Sequence, residues 1–139
     1  MTKENSEKLT ERFKMFQSSI DDRRKRDIFP FECGDGWFQL IWNLCEELEK
    51  VEKVFLESIP IKEKTKSLLK DKREYEIMVL QVKEKFGTMR FYINNGTEEM
   101  YELINKAEEK SGEICEVCGQ PGKIRKKTWI YCSCDQHII

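Results

Sequence analysis

Leu9, Phe13, Phe16 and Ile20 recur at helical spacing with charged residues between them. That period predicts a short amphipathic helix near the start of the chain. DDRRKRD (residues 21–27) follows and reads as a solvated helix end or linker, because its acids neutralise much of its basic charge. IFPFECGDGW (28–37) then breaks the helical period with Pro30, Gly34 and Gly36. A longer stripe of Trp37, Ile41, Leu44, Leu48, Val51 and Phe55, widened by Phe38 and Cys45, predicts a second helix from near Asp35 to about Glu57. PIKEKTKSLLKDKRE (60–74) is a polar connection.

The period then changes. YEIMVLQVKEKFGTMRFYINN (75–95) is rich in β-branched and aromatic residues around Gly87, which predicts a β-hairpin. With Gly87 and Thr88 at the centre of a type II′ turn, Lys85 lies opposite Arg90 and Lys83 opposite Tyr92. These four share one face. Val82, Glu84, Phe86, Met89, Phe91 and Ile93 share the other, where Glu84 is out of place. Thr97 reads as the N-cap of a third helix, with Glu98 and Glu99 in its first turn, Met100, Leu103, Ile104 and Ala107 on its apolar face, and Gly112 as its stop. A further strand is expected at KKTWIYCS (126–133). The expected fold is α+β: amphipathic helices packed on a small antiparallel sheet, with a C-terminal zinc ribbon or knuckle. Residues 1–30 would be an N-terminal helix and charged linker. Residues 31–139 would be the core, with the knuckle over 113–139, all in one compact domain.

Composition narrows the function. The 139 residues carry 25 Lys and Arg against 26 Asp and Glu, a formal net charge of −1. That balance argues against a dedicated nucleic-acid binder but leaves room for a local basic patch. No apolar run has the length of a membrane span, and the first residues show no apolar leader core, so the expected setting is cytoplasmic and reducing. There, clustered cysteines read as metal ligands before they read as disulfides.

CEVCGQPGKIRKKTWIYCSCDQH (115–137) holds four of the six cysteines and the only histidine. Cys115 and Cys118 form a C-x-x-C knuckle, and Cys134 and His137 form a second pair at the same spacing. Together they offer the four N and S ligands that tetrahedral zinc takes. Cys132 is an alternative ligand, since it lies two positions from Cys134 on the same strand face. Cys33 and Cys45 read as core cysteines. With four protein ligands the shell is closed, and no histidine is left over as a base, which favours a structural metal and a protein that is not an enzyme. No Walker loop or dinucleotide-binding glycine fingerprint occurs. Glu116 reads as a solvated knuckle residue.

Two further places invite a ligand. Lys83, Lys85, Arg90 and Tyr92 suit an anion or nucleotide, since like charges opposed on a ladder need something to offset them. Gly34, Asp35, Gly36 and Trp37 read as a helix cap first, with Asp35 capping the second helix, and as an anion-binding turn second.

The runs FECGDGWFQLI (31–41), VKEKFGTMRFY (82–92), AEEKS (107–111), CEVCGQPG (115–122) and Trp129 followed by CDQH (134–137), in this order, resemble small proteins of uncharacterised function encoded by tailed phages and bacterial prophages. The resemblance covers about the C-terminal three-quarters of the chain. In that pattern the second knuckle is C-x-x-H, which favours Cys134 and His137 over Cys132. The chain departs from it at Cys132, at Ser133 where an apolar residue is usual, and in a charged insertion over residues 52–73. The resemblance implies a phage or prophage origin and the cytoplasm of a bacterial host. The expected role is an accessory protein that binds and blocks a defence-related host protein through an apolar patch around Trp129, Tyr131, Ile138 and Ile139. The alternatives are sequestration of a small phosphorylated ligand at the hairpin, and nucleic-acid binding through KIRKK (123–127).

Overall fold

The computed structural model describes residues 1–17, 31–59 and 75–139. DDRRKRD, Ile20 and the connection over 60–74 lie outside them.

Helix α1 spans Lys3–Arg12, with the Thr2 hydroxyl accepting from the Asn5 N–H as its N-cap. It is shorter than its apolar stripe. Phe13 is already extended, and a 3-10 turn over Lys14–Phe16 follows. This break lets Phe13, Met15 and Phe16 all reach the core, which a continuing helix would not allow. A second 3-10 turn, Asp35–Trp37, leads into α2, Phe38–Ser58. Helix α3 spans Glu98–Ser111, capped by Thr97 and stopped at Gly112 as its sequence predicts.

Strands β1 (Phe31–Glu32), β2 (Met78–Lys85) and β3 (Thr88–Asn94) form a sheet in the order β1-β2-β3. β2 and β3 are the expected hairpin. β1 is an addition, a two-residue strand running parallel to β2. β4 (Lys123–Lys126) and β5 (Ile130–Ser133) pair with each other in a separate antiparallel ribbon and do not extend the first sheet. The fold is α+β, with a Cys/His cluster at the C-terminus.

The hairpin turn differs from expectation by one residue. Lys85 pairs with Thr88, so Phe86 and Gly87 are the central residues. Both have positive φ, 53° and 85°, the pattern of a type I′ turn, whose twist matches that of the strands it joins. Lys83 therefore lies opposite Arg90, and Tyr92 opposite Gln81. Moving the turn by one residue changes every partner across the ladder, yet the same side chains stay on each face. The exception is Phe86, which leaves the apolar face for the turn and is 64% exposed. Glu84 now stands at the hairpin end, where its carboxylate accepts the Gly87 N–H at 2.8 Å. A bulge between Val79 and Gln81 resets the alternation, so Val79 and Val82 are both buried although three positions apart.

One core runs through these elements. Leu9, Phe13 and Phe16 meet Phe31, Trp37, Ile41, Leu48, Val82, Phe91 and Met100. α2 and α3 pack together, and α3 lies against β3. The edge of β3 is covered from α3: the Met89 N–H donates to Ser111 Oγ at 2.7 Å and the Phe91 N–H to a Glu108 carboxylate oxygen at 2.9 Å. Ser111 is thereby a satisfied buried polar residue, and this edge is closed to a further strand.

Candidate metal centre

Four side chains converge at the end of the chain. The Cys115, Cys118 and Cys134 sulfurs and a His137 ring nitrogen all lie within 4.8 Å of one another. Each pair comes from its own tight turn. In the first, the Gly119 N–H donates to the Cys115 carbonyl at 2.9 Å. In the second, Cys134 opens a 3-10 turn over Asp135–His137, and the His137 N–H donates to the Cys134 carbonyl at 3.1 Å. The β4–β5 ribbon and the Ile114–Pro121 bridge hold the two turns face to face.

The spacing suits a tetrahedral ion. Metal–sulfur bonds of zinc length put two sulfurs about 3.8 Å apart across a tetrahedron. Cys118 Sγ and Cys134 Sγ are 3.7 Å apart, and Cys115 Sγ lies 3.7 Å from His137 Nδ1. Cys134 Sγ and His137 Nδ1 are closer, at 3.1 Å. One thiol of the donor set, Cys115, is shifted toward the thiolate, while its neighbour Cys118 is shifted up, the Gln120 N–H lowering it but desolvation and the thiols of Cys115 and Cys134 outweighing that. Burial pushes the Cys115 thiol up, but the N–H groups of Cys134, Cys118 and Val117 and the Cys118 thiol outweigh it and bring it down to about 6, from an ordinary 9.0. A thiol so placed is a ready thiolate ligand.

Cys132 does not join the cluster. Its sulfur faces the carbonyls of Gly112 and Ile114, at 3.3 and 3.1 Å, and burial, the largest cause, pushes its thiol up to about 11. The expectation that Cys132 and Cys134 share a face rests on a strand running through both. The strand ends at Ser133, so the alternation stops before Cys134. Cys33 and Cys45 are buried in the core, as expected.

The GDGW turn has a different task from the one its sequence suggests. Asp35 does not cap α2, whose entry has no side-chain cap. Its carboxylate instead accepts from the Thr2 N–H at 2.8 Å, the Thr2 hydroxyl at 3.2 Å and the Asn5 amide at 3.0 Å. It thus anchors the beginning of α1, and the Met1 ammonium donates to the Cys33 carbonyl beside it. The glycines face the Cys115–Cys118 turn. The Gly36 N–H donates to the Glu116 carbonyl at 2.7 Å, and the Gly34 N–H to the Glu116 carboxylate at 2.8 Å. Trp37 is fully buried, and its indole N–H donates to the Ile114 carbonyl at 3.0 Å. A Cβ on Gly36 would sit 2.0 Å from the Cys115 carbonyl oxygen, and one on Gly34 2.3 Å from that of Glu116. Only glycine permits this approach.

Glu116 is therefore half-buried and engaged rather than a freely solvated residue. Burial raises its pKa, against the lowering effect of the Gly34 N–H. Glu116 is the residue that sequence reasoning missed. Its one visible sign is an acid between two ligands, and its partner lies 82 positions away.

Lys83, Lys85, Arg90 and Tyr92 do come together on the solvent face of the hairpin. Lys83 Nζ stands 5.8 Å from the centre of the Tyr92 ring, and Arg90 donates to the Thr88 hydroxyl at 2.5 Å and the Met89 carbonyl at 3.1 Å. Among the described residues, none of the three cations has a carboxylate within ion-pair distance. Asp35 and Glu84, the acids nearest in expectation, are engaged elsewhere.

In the ribbon, the Trp129 ring meets that of Tyr131 in a tilted contact, 5.9 Å between centres and 43° between planes, and the Tyr131 hydroxyl accepts the Ile139 N–H at 3.1 Å. Tyr131 is buried, while Trp129, Ile138 and Ile139 are 52%, 46% and 67% exposed. No helix among the described residues is long and apolar enough to cross a membrane.

A scan against models of protein families finds no match for this chain, and no curated protein or solved structure shows significant similarity to it.

Proposed function

We propose that this is a phage-type accessory binding protein, working in the cytoplasm of a bacterial host, in which a structural zinc holds the C-terminal ribbon against the body. The carrying observation is the closed donor set. Three sulfurs and one imidazole nitrogen gather round one point, which suits zinc by ligand softness and number and leaves no open position for a substrate. The ribbon so held displays Trp129, Ile138 and Ile139 to solvent. An exposed aromatic with apolar neighbours is the kind of anchor that protein interfaces use. The proposed target is a host protein, one of antiviral defence being the natural object of such a role.

A small phosphorylated ligand at the hairpin has less support. Lys83, Lys85 and Arg90 stand on an open sheet face, whereas a small ligand is held in a concavity.

Native mass spectrometry of the protein purified from bacterial cells, with Trp129→Ser/Ile139→Ser as comparison, tests the reading. One zinc per chain is expected in both, together with a host protein carried by the parent and lost from the variant. A chain without metal, or a partner retained by the variant, would overturn it.

A further inference from the structure

The near-zero net charge hides a segregation. The hairpin over 78–94 and the ribbon over 123–133 carry seven basic side chains and one acid, whereas α2 and α3 carry ten acids and four lysines. The basic excess thus belongs to the β elements and the acidic excess to the helices. The two β elements also touch. A Cβ on Gly87, in the hairpin turn, would lie 2.7 Å from Ile124 Cδ1 and 3.4 Å from Ile130 Cγ2 of the ribbon.

Within this basic side, the hairpin face has three features together. Lys83 and Arg90 are directly opposed on the ladder, an arrangement that is unfavourable without an anion. Neither they nor Lys85 are neutralised by a carboxylate among the described residues. Two exposed rings stand beside the cations: Tyr92 by Lys83 at 5.8 Å, and Phe86 by Lys85 at 5.7 Å. Phe86 reaches solvent only because the turn holds it at a positive φ that a bulky residue rarely adopts.

We infer that this face, Lys83, Lys85, Phe86, Arg90 and Tyr92, binds single-stranded nucleic acid. The cations take successive phosphates, and the rings offer stacking surfaces for unpaired bases. Cations interleaved with exposed rings on an open surface are what a sequence-tolerant single-strand site requires. A flat face suits a polymer better than a mononucleotide, and the clefts at the α2–α3 packing lie away from the hairpin. An added peptide strand is not favoured, because α3 side chains already occupy the edge of β3. The inference rests on the reading of the chain as a binding protein, but not on the ribbon's apolar patch.

Fluorescence anisotropy with labelled dT20 and rU20, on the full zinc-loaded chain, decides it, and the two probes separate DNA from RNA. Binding to at least one is expected, weakening as salt rises with a log–log slope of about −2 for three phosphate contacts. Lys83→Glu/Arg90→Glu should lower affinity at least tenfold, and Tyr92→Ala by roughly tenfold. The same charge change placed on the helices, Lys53→Glu/Lys106→Glu, should leave it unchanged. Arg90→Ala should not lower the melting temperature and should raise it slightly, because among the described residues no carboxylate pairs with Arg90 and the change relieves its opposition to Lys83. Should the double charge reversal fail to fold, Tyr92→Ala alone decides. Several outcomes would overturn the inference: no binding at 50 mM salt, equal loss from the helical variant, or thymidine monophosphate competing as well as the 20-mer. So would self-association of the chain, seen by sedimentation and abolished by the hairpin variants, since the acidic helices of a second copy would then be the occupant.

Discussion

The body and the ribbon are held by different physics. In the body, α1, α2, α3 and the three-stranded sheet close over a continuous apolar cluster that includes Leu9, Phe13, Trp37, Ile41, Val82, Phe91 and Met100. Such a core is stabilised by surface removed from water, about 25 cal/mol per Å². The ribbon has little of this. Its buried residues are Cys115, Tyr131, Cys132 and Ser133, Ile114 and Ile124 are only partly buried against the core, and Val117 and Trp129 are exposed. A segment this poor in core needs a staple, and a metal ion held by the converging thiols and imidazole would be one. The difference teaches where to look for the joint. It is the GDGW turn, where Gly34, Gly36 and Trp37 of the body bond to Ile114 and Glu116 of the knuckle.

The largest effect should come from removing the metal, because ligand binding and folding are coupled in such knuckles, with apparent binding energies of about 10–16 kcal/mol. Chelation, or Cys115→Ser with Cys118→Ser, should abolish amide-exchange protection beyond Gly112 while α2 and α3 keep theirs. Cys132→Ala should leave the metal content unchanged, since its sulfur faces two carbonyls outside the cluster. Loss of metal from that variant would make Cys132 a ligand rather than a core cysteine.

Gly36→Ala strikes the joint itself. Its new methyl group meets backbone at 2.0 and 2.6 Å, and backbone cannot rotate away. We expect a loss of at least about 3 kcal/mol in denaturant unfolding, with the ribbon separating from the body before either unfolds. A variant of unchanged stability would mean that the two regions do not press together at this point.

A smaller effect is expected at Asp35, on the body's side of the joint. Burial pushes its carboxyl up, but the Thr2 N–H, the Asn5 amide, the Thr2 hydroxyl and the Met1 ammonium outweigh it, so its pKa falls below the ordinary 3.8. A lowered folded-state pKa means that the stabilisation is present above about pH 4 and fades as acid protonates the group. Asp35→Ala should cost on the order of 1 kcal/mol at pH 7, the scale of a lost helix cap. The difference between parent and variant should shrink below pH 4. Thermal melting across pH checks both, and a gap that widens in acid would contradict the assignment.

Much of this was legible in the chain because it is local. The Thr97 cap and the Gly112 stop, the stripe of α2, and the paired spacings of Cys115–Cys118 and Cys134–His137 are each set within a few residues. What failed did so for local reasons at the turn and the strand end, and for a long-range one at Asp35, whose partners Thr2 and Asn5 lie at least 30 positions away. The type II′ reading placed Gly87 first in the turn, whereas the chain accepts Phe86 at positive φ and puts Gly87 second. Strand alternation was carried through Cys134, although the strand ends one residue earlier. Asp35, flanked by glycines at a helix entry, looked like a cap for the helix that follows it and serves the one before.

By itself the sequence determined the longer helices, the hairpin and the candidate ligands, since periodicity and ligand spacing are properties of neighbouring residues. Only the tertiary structure decided what Gly34, Gly36 and Glu116 are for. Their bonds join positions 82 apart, and a glycine that makes room for a distant carbonyl looks, in the chain, like any glycine in a turn. The same holds for charge. The balance of 25 bases and 26 acids is fixed by composition, but only folding brings the turn of the basic hairpin against the basic ribbon, where Gly87 meets Ile124 and Ile130.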